Sequence, residues 1–380
     1  MAGPLDGIRI IELAGIGPAP MAGQLLADLG ADVISIDRRA EDRLPQRPKD
    51  ANRRGKRSIV LNLKHPEAVE TLLTLCKTAD GLFEGFRPGV AERLGFGPDA
   101  ALTANPRLVY GRLTGWGQTG PLSARAGHDI NYIALSGALA AIGDMERPRP
   151  PINLVGDYAG GSLFLVVGML AALLKARDTG KGQVIDAAMT DGSAAIMSLI
   201  HSLLASGLWT EQREANLIDG GAPFYRTYET SDGQFMAVGA IEAQFYAALL
   251  ERLDLDPAEA QHQHDHSQWP RITEMFANCF AARTRDEWTR RFAGSDACVS
   301  PVLTMTEAPA DAHNVARGTF TERDDFVQPA PAPRFSGTPA QLRRGPFFAG
   351  EDTRSILREA GLDTDRVDQL ISDGIAGECP

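Results

Sequence analysis

The first half of the chain alternates between short aliphatic runs and longer stretches whose apolar residues recur at helical spacing. Residues 8–13 are an apolar run and residues 14–20 a Gly/Pro-rich turn. Residues 21–29 place apolar side chains on one helical face before Gly30, the pattern of a helix closed by a glycine. A second strand is expected over 33–36, closed by Asp37. Strands over 58–63, 81–84, 108–113 and 184–189 continue the alternation, with helices over 66–77, 159–176 and 191–205. The segment 128–142 is amphipathic, and 159–176 is apolar enough to expect burial most of the way round. Such strand–helix–strand alternation predicts a doubly wound α/β domain with a parallel sheet.

Beyond residue 216 the pattern changes. A loop over 216–223 precedes two runs, 225–230 and 234–240, which flank Ser231-Asp232-Gly233, a hairpin signal. Helical spacing follows over 242–253, 271–282 and 285–292, so a smaller α+β domain is expected. The proline-rich stretch 328–333 reads as a linker, and two short helices, 353–360 and 365–372, close the chain. A length of 380 residues also favours two domains over one.

Composition narrows the function classes. The chain is 43% hydrophobic and 23% charged, as a globular protein is. Its net charge of −11 argues against nucleic acid or an anionic membrane as partner. The longest apolar run, 163–174, is too short to span a bilayer, so no membrane insertion is expected. Cys76, Cys279, Cys298 and Cys379 show no metal-site spacing, and the amino terminus has no secretory pattern, which suits reduced thiols in the cytosol.

Several places could carry chemistry. Gly15-Ile16-Gly17 after a strand, with Asp37 downstream, imitates a dinucleotide fingerprint, but Pro20 stands where the third glycine belongs and Arg38 follows the acid; NAD is disfavoured. Residues 38–64 hold ten basic and three acidic side chains. Directly after the second strand of a βαβ unit, such a cluster suits a phosphate-rich ligand such as coenzyme A, although a solvated loop would look the same.

His128, in Gly127-His128-Asp129-Ile130-Asn131-Tyr132, stands at a helix start, where the dipole disfavours imidazolium; it is either a plain cap or a proton acceptor. Asp157, in Gly156-Asp157-Tyr158-Ala159-Gly160-Gly161, reads as an N-cap of the apolar helix, a role compatible with catalysis. The amides beside it could receive an oxyanion, and its glycines would admit a ligand. Glu242 follows a strand at a helix start, a weaker signal. His262-Gln263-His264-Asp265-His266 looks metal-like but reads as a solvated loop, and no metal is expected.

With these strings in view, the chain resembles the α-methylacyl-CoA racemase branch of the family III CoA-transferases. The resemblance runs nearly end to end, through Glu12 to Pro18, Ala126 to Tyr132, Gly156 to Gly161, Gly180 to Ala187, Asp219 to Tyr225, Val238 to Glu242 and Asp296 to Leu303. The Gly-His-Asp-Ile-Asn-Tyr string is its specific part, since the transferases keep the Asp but lack this His. Ala19 departs from a commoner Gly.

The resemblance implies a Rossmann-like large domain (1–190 and 331–380), linkers (191–224 and 311–330) and a small α+β domain (225–310), in an interlocked homodimer. It implies His128 and Asp157 as the acid/base pair, with Glu242 and Asp129 assisting. It places Arg38, Leu61, Leu63, Lys64, Arg93, Gly127 and Tyr132 on CoA, in an enzyme acting on 2-methylacyl-CoA without a cofactor. The ending Glu378-Cys379-Pro380 is not a peroxisomal signal, so a cytoplasmic setting is expected. The alternative is a CoA-transferase with Asp157 as nucleophile.

Overall fold

The computed structural model describes residues 3–13, 15–38 and 49–379. The chain divides into two compact units. One takes the chain up to Ser136, Ile152–Ile196 and everything from Ala316 on; the other takes Gly137–Pro151 and Met197–Val315.

The first unit begins with β1 (Arg9–Leu13), α1 (Pro18–Asp28), β2 (Asp32–Asp37) and β3 (Arg57–Leu61). There follow α2 (Pro66–Cys76), β4 (Gly81–Glu84), α3 (Val90–Leu94), α4 (Pro98–Ala104) and β5 (Val109–Thr114). Next come α5 (Asp129–Leu135), a π-helical run Leu154–Leu163 continuing as α6 (Phe164–Thr179), β6 (Val184–Ala188) and α7 (Met189–Ile196). In the second unit α8 (Ser198–Ala205) precedes β7 (Tyr225–Glu229), β8 (Phe235–Gly239), α9 (Ala243–Arg252), α10 (Trp269–Phe280), α11 (Arg285–Phe292) and β9 (Val299–Pro301). After α12 (Ala312–Arg317), the chain forms the hairpin β10 (Phe320–Arg323) and β11 (Phe326–Pro329), then α13 (Thr353–Glu359), α14 (Thr364–Ser372) and β12 (Ala376–Gly377).

The large sheet has the order β12-β3-β2-β1-β4-β5-β6. All its pairs are parallel except β12 on β3. This is the doubly wound order, which reverses between β1 and β4 and opens a crevice at the carboxyl ends of those strands. Both faces are covered, so the inner strands read as nearly unbroken apolar runs. One core joins Ile11, Leu13 and Ile59 to α2 and α13; the other joins Ile10, Val33 and Val109 to α1 and α6. The second unit packs β7-β8-β9 against α9, α10 and α11 over an aromatic core that includes Phe224, Tyr246, Phe276 and Trp288.

Three sequence expectations change. The helix expected over 191–205 is two, broken at Met197. The amphipathic segment 128–142 is α5 followed by a single 3-10 turn, Leu139–Ala141. The apolar helix is buried on one side only. Leu165, Val166, Met169 and Ala172 face the core, while Leu163, Val167 and Leu174 are exposed. By length and composition Leu154–Thr179 could cross a membrane, but its inner face packs on the sheet, which is the geometry of a core helix.

The basic segment is also largely neutralised inside the fold. Arg54 pairs with Asp28 at 2.6 Å, Lys56 with Glu12 at 2.5 Å and Arg57 with Asp32 at 2.7 Å, while Arg53 pairs with Asp37. These cations fasten the start of β3 to α1, β1 and β2 rather than facing a ligand. Arg39, Arg43 and Arg47 lie outside the described residues. Asp37, the acid of the imitation fingerprint, instead accepts from Ser58 Oγ at 2.7 Å.

The Lys56–Glu12 pair is essentially sealed from solvent, and Lys56 also donates to the Pro20 carbonyl at 2.9 Å. Burial pushes the Glu12 carboxyl up and the Lys56 ammonium down, each opposed by the other's charge. Lys56→Met leaves a buried carboxylate unpaired and is expected to lower unfolding free energy by about 3–5 kcal/mol. Urea denaturation checks this, and adding Glu12→Gln should restore most of the loss.

Candidate active site

His128 is brought to the crevice side of the large sheet by the loop that follows β5. It occupies the N-cap of α5 with extended backbone, and its N–H donates to Asn131 Oδ1 at 3.0 Å. Two residues after β5, Trp116 packs edge-on against Tyr132, with ring centroids 4.8 Å apart. Tyr132 is buried, and its hydroxyl donates to the Gly127 carbonyl. The aromatic pair therefore anchors the peptide just before His128, leaving the His128 ring exposed.

Asp157 lies inside the π-helical run rather than at its cap; Asn153 occupies the N-cap. Asn153, one turn earlier, donates Nδ2 to Asp157 Oδ2 at 3.3 Å. The Asp157 N–H donates to Asp129 Oδ1 at 2.6 Å. That amide is thereby occupied by Asp129, which leaves only its neighbours for an oxyanion. π-Helical turns are uncommon and cluster at functional sites. Here the run is shaped by close packing. A Cβ on Gly156 would lie 2.5 Å from Asp129 Oδ1, and one on Gly160 would lie 2.6 Å from Ser193 Oγ. Gly156 and Gly160 make room for the close approach of α5 and α7.

Asp129 thus joins two elements distant in sequence. It is the first residue of α5 and is buried, and its Oδ2 finds no hydrogen-bond partner among the described residues. Burial raises the Asp157 pKa; the Asn153 bond opposes this, Asp129's charge adds to it and His128 counters it. Asp157 also borders the crevice at the switch point, because a Cβ on Gly17, at the start of α1, would be 3.1 Å from its Oδ2.

Beside the crevice is a cavity of about 370 Å³ at the carboxyl ends of β1, β2 and β3. Arg38, Leu61, Leu63, Lys64 and Arg93 all line it, together with Phe86 and Val90. No ion pair engages Arg38, Lys64 or Arg93 among the described residues, unlike the cations of the β3 start. Gly127 and Tyr132 lie apart from this lining, in the His128 turn.

Glu242 belongs to the second unit, exposed at the N-cap of α9. The preceding turn is braced by Gln263, whose Nε2 donates to the Ala240 and Ile241 carbonyls at 3.2 and 2.7 Å. Trp269 Nε1 donates to the Gln263 carbonyl at 2.9 Å, and His266 stacks on Trp269 with centroids 3.8 Å apart. The histidine-rich stretch thus carries a buried glutamine that braces this turn, while His264 and His266 themselves stay exposed. Among the described residues no three His, Cys, Asp or Glu side chains are grouped as metal ligands.

Sequence reasoning overlooked Asn153 and Asn131. Asn153 stands one helical turn before Asp157, and Asn131 is the third residue after the His128 cap, spacings that could have drawn attention to both.

Residues 5–353 match the model of CoA-transferase family III. The chain belongs to that family. Within family III, it is 47% identical to human alpha-methylacyl-CoA racemase over 98% of this chain and 97% of that protein. It is 46% identical to the mouse alpha-methylacyl-CoA racemase, again over 98% of this chain and 97% of the relative. Its fold matches a CaiB/BaiF family protein from Brucella suis with a TM-score of 0.81 at 26% identity, covering 95% of this chain and 100% of that one.

Gly156→Ala is expected to push Asp129 away from the Asp157 amide while leaving the protein folded, at a cost of about 1–3 kcal/mol. Faster hydrogen exchange at the Asp157 amide than in the wild type checks the outcome.

Proposed function

We propose that the chain interconverts the (R) and (S) epimers of 2-methylacyl-CoA thioesters by proton transfer at the α carbon. The observation that carries this reading is the joining of the His128 turn to the Asp157 turn through Asp129. It is supported by family membership and by relatives named racemases at 46–47% identity.

The chemistry needs two groups of suitable basicity on opposite faces of one carbon. Neutral His128 takes the α proton of the (S) epimer, and the C–H electron pair moves into the thioester carbonyl to form an enolate. Protonated Asp157 then returns a proton to the opposite face, and the carbonyl re-forms. The reverse direction exchanges the roles. The balance closes without a metal, oxidant or organic cofactor. Burial suits Asp157 to its part, since a raised pKa keeps a proton available at higher pH.

The cavity residues Arg38, Leu61, Leu63, Lys64 and Arg93 receive the CoA part, where guanidinium and ammonium groups meet phosphates. Gly127 and Tyr132 contribute by holding the His128 turn. Glu242 orients His128 from the other subunit of an interlocked homodimer. The exposed apolar residues of α6, among them Leu163, Val167 and Leu174, suit burial by a second copy. A cytoplasmic setting fits four cysteines that remain free thiols.

A single epimer of a 2-methylacyl-CoA in D₂O should racemise with one deuterium entering the α position and no need for an acceptor acid. His128→Ala and Asp157→Ala should each lower the rate by about 10²–10⁴-fold. Transfer of CoA to an added carboxylic acid, or wild-type rates in either variant, would overturn the reading.

The pH profile offers a separate check. Asn153 donates to the Asp157 carboxylate and so favours its ionised form. Asn153→Ala is therefore expected to raise the Asp157 pKa further. In the (R)-to-(S) direction Asp157 is the base, so the acidic limb of kcat/KM should move to higher pH in the variant.

A further inference from the structure

A charge cluster stands behind the cavity wall without lining it. Glu84, at the end of β4, is fully buried. Its Oε2 accepts the Phe86 N–H at 2.5 Å, and its Oε1 accepts Arg112 Nε at 3.2 Å. Arg112, on β5, is also buried, and its fork reaches forward to both oxygens of Glu92 at 2.7 and 3.3 Å. Glu92 belongs to α3, whose Val90, Arg93 and Leu94 line the cavity together with Phe86.

α3 has five residues, and Gly89 and Gly95 at its two ends are both left-handed. A helix this short has no stability of its own in water. Its placement therefore depends on what holds it, and the bidentate Arg112–Glu92 pair is a geometrically specific hold. The cluster is costly. Burial pushes the Glu84 carboxyl up to about 7, against the opposing Phe86 amide and Arg112. A buried charge set of this kind is weak as a source of stability but strong as a constraint on position.

We propose that Arg112, itself anchored by Glu84, is a positioning residue for acyl-CoA binding. Through Glu92 it sets α3, and with it the Arg93 guanidinium, while Glu84 sets Phe86. This rests on the reading of the cavity as the CoA site. Arg112 touches neither the His128 turn nor Asp157 in any hydrogen bond or ion pair, so the chemical step should not feel its loss.

The test is calorimetric titration of the full-length protein with CoA, beside racemisation kinetics. Glu92→Gln keeps the buried charges paired and should raise the CoA Kd and the substrate KM about fivefold. The double variant Glu84→Gln/Arg112→Met removes both buried charges without orphaning one and should raise both by about tenfold or more. In each, kcat should stay within about twofold of the wild type. Wild-type CoA binding with unchanged Kd and KM in both variants would overturn the inference alone. So would a fall in kcat at constant KM. If the wild type itself fails to bind CoA, the cavity assignment falls and the inference falls with it.

Discussion

The site hangs on one hydrogen bond, from the Asp157 amide to the Asp129 carboxylate at 2.6 Å. It ties the first turn of α5 to a π-helical run nearly thirty residues later. Because Asp129 is buried, its charge has little water to screen it and also bears on the Asp157 carboxyl. The group that fixes the position of Asp157 thus also adds to the rise in its proton affinity that burial chiefly causes. The bond exists only because Gly156 leaves room for the Asp129 oxygen, so a missing side chain is as much a part of the site as the carboxylates.

Buried charge organises the large unit more widely. Glu12, Asp28, Asp32 and Asp37 each hold a cation from residues 53–57. These pairs fix how β3 enters the sheet and so where Leu61 ends the strand and Leu63 and Lys64 emerge beyond it. The cations fall into two populations. Those with carboxylate partners build the scaffold, while Arg38, Lys64 and Arg93 remain at the cavity. Only the second population suits an external phosphate, since a charge already paired and desolvated has little left to offer a ligand.

The sequence pattern made the doubly wound domain legible because β1, β2, β4 and β5 are buried on both faces and read as apolar runs. It also made the smaller unit's hairpin legible through Ser231-Asp232-Gly233. It could not tell which face of α6 packs on the sheet, because the inner and outer apolar faces have the same composition. It placed Asp157 at a cap because local spacing cannot distinguish a π-helical turn, which is held by long-range packing against Asp129 and Ser193.

The candidate site shows the same division. His128, Asp157 and the cavity residues could be named from local strings, because residue type and neighbouring glycines are local properties. Their assembly could not. Which of the clustered cations would be neutralised by Asp28 or Glu12, and that Gln263 in the histidine-rich stretch would brace the turn before α9, depend on partners brought together by the fold. Residue types and periodicity determined the fold class and the chemistry within reach. Tertiary structure decided which side chains are free to use it, because pairing and burial are set by residues far apart along the chain.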